Sequence, residues 1–139
     1  MNAQIHAPTL RVRYEETDQM GVVYHGNYLK YFEVGRTELM RRLGFPYSEQ
    51  EKKGVLLTVV EARCRYLAGA RYDDLLRIET RGEIRSPLRL RFGYRVVREE
   101  DGVVVCEGWT DLACLDQNRK LRRLPEEIRR GLEHQSLPV

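Results

Sequence analysis

A single stretch of this chain, Tyr28 to Leu43, is apolar at helical spacing, and nearly everything after it alternates like β structure. The pattern Tyr28, Phe32, Gly35, Leu39, Leu43 advances by four, three, four and four residues, with Leu29, Tyr31 and Met40 widening the stripe. It predicts a helix of about four to five turns, ending near Gly44 and Pro46. Four strand-like runs follow. Val55 to Leu67 sets Val60, Ala62, Cys64 and Tyr66 against Glu61, Arg63 and Arg65, and Leu75 to Arg85 sets Leu76, Ile78 and Thr80 against Arg77, Glu79 and Arg81. After Ser86-Pro87, Leu88, Leu90, Phe92, Tyr94 and Val96 alternate with Arg89, Arg91 and Arg95. Val103 to Leu115 is the last run, with Trp109 near its middle, and Glu100-Asp101-Gly102 before it is a hairpin turn signal. Leu10 to Tyr14 reads as a strand ahead of the long helix, and Pro125 to Leu132 as a short closing helix begun by Pro125.

One helix cannot cover five strands from the side, but a curved sheet can wrap around it. The helix is then apolar over much of its circumference, as Tyr28 to Leu43 is. The expected class is α+β, a five-stranded antiparallel sheet wrapped around one long central helix. At 139 residues the chain is one domain, 1–139, with its core at about 9–132. A sheet of this kind has two open edges, so a symmetric dimer is expected, pairing edge strands or packing the helix-start loops together.

The segment Thr17 to Tyr28 is where chemistry is expected. Asp18 sits in a loop leaving a strand, where functional carboxylates are often presented. His25, Gly26 and Asn27 come just before the helix, with Asn27 a favoured N-cap and Gly26 free to turn sharply. A helix start offers unpaired N–H groups and partial positive charge, which suit a carbonyl oxygen becoming an oxyanion. Each residue also has a plainer role: Asp18 as the acceptor of an Asx turn, His25 as a cap-region side chain. The combination is weighted toward chemistry by the loop from Met20 to Tyr24, which is apolar and expects to be covered by substrate or another subunit.

Composition narrows the classes. The chain is 42% hydrophobic and 32% charged, with no run near the roughly 18 apolar residues of a membrane span. Met1 to Thr9 lacks a basic-then-apolar leader pattern, so a cytoplasmic protein is expected. Cys64, Cys106 and Cys114 are dispersed and expected to be reduced, buried and small. With His6, His25 and His134 they make no cluster dense enough for zinc. The net charge is +3, and arginine outnumbers lysine twenty to four. Arg63 and Arg65 share one strand face and Arg89, Arg91 and Arg95 another, positive surfaces suited to phosphate, though nearby glutamates also suit a solvated face. No helix-turn-helix, zinc-finger or stacking motif supports nucleic acid.

The order of elements, the segment Tyr14-x-x-x-Asp18-x-x-Gly21-Val22-Val23-Tyr24-His25-x-Asn27-Tyr28 and the downstream Tyr66-Leu67-Ala68-Gly69-Ala70-Arg71-Tyr72-Asp73-Asp74 resemble the hotdog-fold acyl-CoA thioesterases. The branch they resemble is the YbgC type of the 4-hydroxybenzoyl-CoA thioesterase family. The resemblance covers about residues 9 to 132. It implies hydrolysis of a small to medium acyl-CoA, no metal or prosthetic group, and CoA entering only as part of the substrate. It further implies a homodimer with sites at its interface, often a dimer of dimers, hence a homotetramer. By the same resemblance Asp18, His25 and Tyr14 are catalytic and the backbone N–H of His25 or Gly26 polarises the thioester carbonyl. Tyr24 and Met20 line the acyl pocket, with Tyr28 and Phe32 as further apolar candidates. Met20 stands where many similar proteins have a small residue, narrowing that pocket, and Arg89 is the first choice for the CoA phosphates. The alternatives are a hotdog 3-hydroxyacyl thioester dehydratase and a non-catalytic acyl-CoA sensor or scaffold.

Overall fold

The structure, a computed structural model, describes residues 7–133, so His6 and His134 and the first six residues of the N-terminal stretch lie outside the described residues. Strand β1 is Thr9–Arg11, followed by a 3-10 turn at Tyr14–Glu16 and helices α1, Asn27–Arg42, and α2, Tyr47–Lys52. The strands β2, Leu56–Tyr66, β3, Leu75–Ser86, β4, Arg89–Arg98, and β5, Val104–Leu115, come next, and α3, Glu126–Glu133, closes the described chain. The strands form one sheet in the order β1-β3-β4-β5-β2, antiparallel at every pairing. The expected architecture is present, with α1 laid along the inner face of the sheet.

Alternation decides which face is inner. Leu76 and Ile78 of β3, Leu90, Phe92, Tyr94 and Val96 of β4, and Cys106, Leu112 and Cys114 of β5 are all buried. They meet Tyr28, Tyr31, Phe32, Leu39 and Met40 of α1 in one core. Each large apolar side chain so buried contributes about 1.5–3 kcal/mol. Phe32 stacks flat on Tyr94, ring centroids 4.1 Å apart at 4°. Gly35 lets the helix come this close: a Cβ there would lie 2.3 Å from Thr80 Oγ1 and 2.7 Å from Ile78 Cγ2. Helix α1 stops where Gly44 takes φ +95°, a conformation that favours glycine.

Four expectations need correction. The first strand stops at Arg11 rather than Tyr14, because Arg13 N–H donates to Glu16 Oε1 at 2.9 Å and Glu16 N–H to Arg13 O, closing the 3-10 turn. Helix α2 was not expected; it is held by Gln50, 1% exposed, whose Nε2 donates to Glu127 of α3 at 2.6 Å. Gly26, not Asn27, is the N-cap of α1. Strand β2 does not divide into a buried and a solvated face: it is a sheet edge with a bulge between Val59 and Glu61, and Val59, Val60 and Tyr66 stay 43%, 46% and 49% exposed. The cysteines are free, with Cys106 and Cys114 buried and Cys64 partly so. No helix among the described residues is long and apolar enough to cross a membrane.

Candidate active site

The loop between the 3-10 turn and α1 is folded back on itself. Thr17 bridges Val23, Asp18 N–H donates to Val22 O at 2.8 Å, and Gly21 N–H returns to Asp18 O at 2.9 Å. Gly21 has φ +81°, so the tip of this loop favours glycine. The loop is docked by Val23 N–H to Ala70 O at 2.8 Å, and Val22 packs so tightly on Gly69 that a Cβ there would meet Val22 Cγ1 at 2.8 Å. Glu16 ties it to the helix. Its carbonyl accepts Tyr24 N–H at 2.9 Å and Asn27 Nδ2 at 2.8 Å, and its carboxylate accepts the Tyr31 hydroxyl at 2.9 Å. Burial first, then this carboxylate, pushes the Tyr31 phenol up, so it remains a neutral donor.

His25 and Gly26 stand immediately before α1, and Asp18 sits in the loop that Glu16 ties to this helix start. Asp18 is half-buried, and its Oδ1 accepts Met20 N–H at 2.9 Å, the turn-capping contact of the plainer reading. Its Oδ2 has no partner among the described residues, so one carboxylate oxygen is fixed and the other is open. The His25 ring is exposed, lies 4.3 Å from the Tyr24 ring, and makes no hydrogen bond to Asp18. The N-cap Gly26 carries no side-chain cap, and among the described residues neither its N–H nor that of His25 meets an acceptor. Asn27, expected to cap, instead uses its side chain to hold Glu16. Tyr24 walls this corner, since a Cβ on Gly26 would lie 3.1 Å from its ring.

The remaining candidates divide. Met20 and Tyr24 are 81% and 49% exposed, at the loop tip and beside His25, while Val23 of the same loop is buried. Tyr28 and Phe32, 3% and 0% exposed, are core and line nothing open. Tyr14 is 78% exposed and packs edge-on against Tyr72 at 5.6 Å, and among the described residues it makes no side-chain hydrogen bond or ring contact with Asp18 or His25. Arg89 starts β4 at the far end of the sheet. The site adjoins the other end, where Val96 pairs Cys106 and Cys106 pairs Tyr66, seven residues or about 23 Å away along β4. The chain does not bring Arg89 to its own Asp18.

Tyr66 was missed by the sequence reading. Its hydroxyl donates to His25 O at 3.2 Å and its ring centroid lies 6.1 Å from that of His25, so the end of β2 braces the helix start. Burial, with Cys64 and Cys106 beside it, pushes its phenol up to about 12. No local signal marks it, because the contact depends on pairing β2 beside β5. Among the described residues no group of three His, Cys, Asp or Glu side chains is placed to hold a metal.

The loop that carries Asp18 and the helix start that carries His25 and Gly26 are joined through Glu16, whose carbonyl accepts from both Tyr24 and Asn27, on a hotdog scaffold. The model of the thioesterase-like superfamily matches residues 12–132, and the chain belongs to that family. Among its relatives, the putative acyl-CoA thioesterase YneP of Bacillus subtilis is 46% identical over 87 residues, 63% of each chain. The acyl-CoA thioester hydrolase YbgC of Escherichia coli O6:H1 is 34% identical over 129 residues, covering 92% of this chain and 96% of its own. The crystal structure of a DHNA-CoA thioesterase from Staphylococcus aureus superposes with a TM-score of 0.80 at 36% identity, covering 84% of this chain and 78% of that one.

Proposed function

We propose that this chain is an acyl-CoA thioesterase that works at the start of α1. The observation that carries the reading is the pair of free N–H groups on His25 and Gly26 beside a loop that holds one oxygen of Asp18 and leaves the other open. Kinship with proteins named as acyl-CoA thioester hydrolases supports the reaction class. The thioester carbonyl oxygen sits on the two donors, where losing one such donor typically costs about a hundredfold to a thousandfold in rate. Asp18 takes a proton from water as its oxygen adds to the carbonyl carbon. The oxyanion then collapses, the C–S bond breaks, and CoA leaves as a thiolate that is then protonated. An equivalent route has Asp18 attack first, giving a mixed anhydride that water opens. His25 orients water or substrate, and CoA enters only as substrate.

The exposed Met20, Tyr24 and Tyr66 and the open edge of β2 fit a homodimer that pairs β2 with its copy and covers the site, with a dimer of dimers as the larger assembly. Arg89 would then serve the CoA phosphates of another copy's site. A small to medium acyl group is the proposed substrate, with the Tyr24 and Tyr66 rings flanking His25. The test is thiol release from acetyl- through palmitoyl-CoA by the wild type and Asp18→Asn. Release by the wild type and its loss in the folded variant, by a hundredfold or more, are expected. Tight binding without release would make the protein a sensor, and full activity in Asp18→Asn would remove Asp18 from the mechanism.

A further inference from the structure

A cavity of about 390 Å³ lies on the outer face of the sheet, away from α1. A second of about 290 Å³ adjoins it and shares Arg81 and Gly93. The strand register explains both. Three rows of side chains cross this face. One row is Arg65, Glu107, Arg95, Glu79, alternating in sign, and Glu79 accepts from Arg95 at 2.7 Å and from Arg77 at 3.0 Å. Another is Glu61, Asp111, Arg91, Glu83, in which Arg91 holds both oxygens of Asp111 at 2.6 and 3.0 Å. The row between them is Arg63, Trp109, Gly93, Arg81 and contains no acid.

Arg91 and Arg95, candidates for phosphate on sequence grounds, are thus committed to carboxylates, while Arg63 and Arg81 have no acidic partner among the described residues. Their Cα atoms stand three strand spacings apart, about 14 Å. Between them the floor is bare at Gly93, where a Cβ would find nothing within 4 Å, and one wall is Trp109, its indole capped by the Arg91 guanidinium at 3.9 Å. The cavity is of small-ligand size, and an unpaired guanidinium at each end asks for a dianion such as phosphate.

We propose that this row is a second ligand site, for a nucleoside diphosphate group: the flat base lies over Gly93 against Trp109, and the phosphates are held by Arg63 or Arg81. The group could come from a free nucleotide or from the nucleotide end of CoA. The site does not depend on the thioesterase reading, since it shares no residue with the helix start.

The chain has a single tryptophan, so its fluorescence reports this site directly. ADP, adenosine, inorganic phosphate and CoA are titrated into the full-length protein at low salt. ADP is expected to change Trp109 emission saturably, and Arg63→Gln or Arg81→Gln to weaken it at least about tenfold for whichever carries the phosphates. Gly93→Leu, whose Cβ meets nothing and whose side chain fills the floor, is expected to abolish binding while circular dichroism and the unfolding midpoint are kept. A matching response to CoA with the same variant dependence identifies the CoA head as a source; a response to ADP alone identifies a free nucleotide. No saturable change with ADP or CoA, an equal response to adenosine or inorganic phosphate, or unaltered binding in all three variants overturns the site.

Discussion

Replacing Gly35 by Ala tests whether the seat of α1 on the sheet controls the chemistry at its start. The added Cβ would lie 2.7 Å from Ile78 Cγ2 and 2.3 Å from Thr80 Oγ1. Carbon atoms settle about 3.5–4.0 Å apart, so the helix must retreat by about 1 Å. Both obstacles are short branched side chains in the core, with Ile78 0% and Thr80 7% exposed, so neither swings aside freely. Overpacking of this kind costs about 1–3 kcal/mol, while Ala in place of Gly inside a helix returns about 1 kcal/mol. The net loss of stability is therefore small, about 0–2 kcal/mol. The effect on rate is larger, because a displacement of about 1 Å at the reacting groups can cost on the order of a hundredfold. The variant is expected to unfold in urea within about 2 kcal/mol of the wild type yet to lose tenfold or more in kcat for acyl-CoA hydrolysis. Gly93→Ala, whose Cβ meets nothing, is the stability control and is expected to unfold at the wild-type midpoint. Full activity in Gly35→Ala with equal or greater stability would refute the reasoning.

Three further outcomes follow from individual contacts. Tyr66→Phe removes the hydroxyl that holds His25 O and is expected to cost about 1 kcal/mol in stability and several-fold in kcat, read by urea unfolding and thiol release. Asp111→Asn tests acid stability: Arg91 holds the Asp111 carboxyl below the usual carboxylate range, so its contribution is present above the unfolded value near 3.9 and is lost as pH falls through the folded one. The variant is expected to be less stable at pH 7 by about 1–3 kcal/mol, with a gap that closes as the pH falls through the lowered Asp111 value; a gap unchanged with pH would contradict the assignment. In an Ellman titration of the native protein at pH 8, Cys64 is expected to react first, because burial pushes Cys106 up to about 12 and raises Cys114 as well. Equal rates at all three thiols would contradict the burial order.

What was legible in the sequence is what local spacing controls. The alternation of Leu90, Phe92, Tyr94 and Val96 with Arg89, Arg91 and Arg95 placed β4 and its inner face, and Asp101-Gly102 placed the β4–β5 turn, where Gly102 takes φ +72°. The helix stripe placed α1 to within a residue of its start. Helix α2 escaped because Tyr47–Lys52 is short and polar, and what fixes it is a glutamine bonded to Glu127 from the far end of the chain. Tyr14 was read as strand because the bond from Arg13 N–H to Glu16 that ends the extended run has no counterpart in hydropathy. The candidate residues Asp18, His25 and Gly26 come from one contiguous segment. Tyr66 could not be found in this way, and neither could the division of the arginines into paired Arg91 and Arg95 and unpaired Arg63 and Arg81, because each depends on which strand lies beside which.

The strand order also dictates a sequence of assembly. Both borders of the sheet, β1 and β2, are synthesised before the strands they join, since β1 waits for β3 and β2 for β5. Only the β3–β4–β5 meander pairs neighbours in the chain, so loop-closure entropy favours its formation first, with α1 laid onto it and the borders zipped on last. During that wait the apolar flank of β2, Val59 and Val60 included, has no partner in its own chain. A chain released short of β5 would keep it bare, and such fragments are expected to stick to one another through the flank that finished subunits leave open.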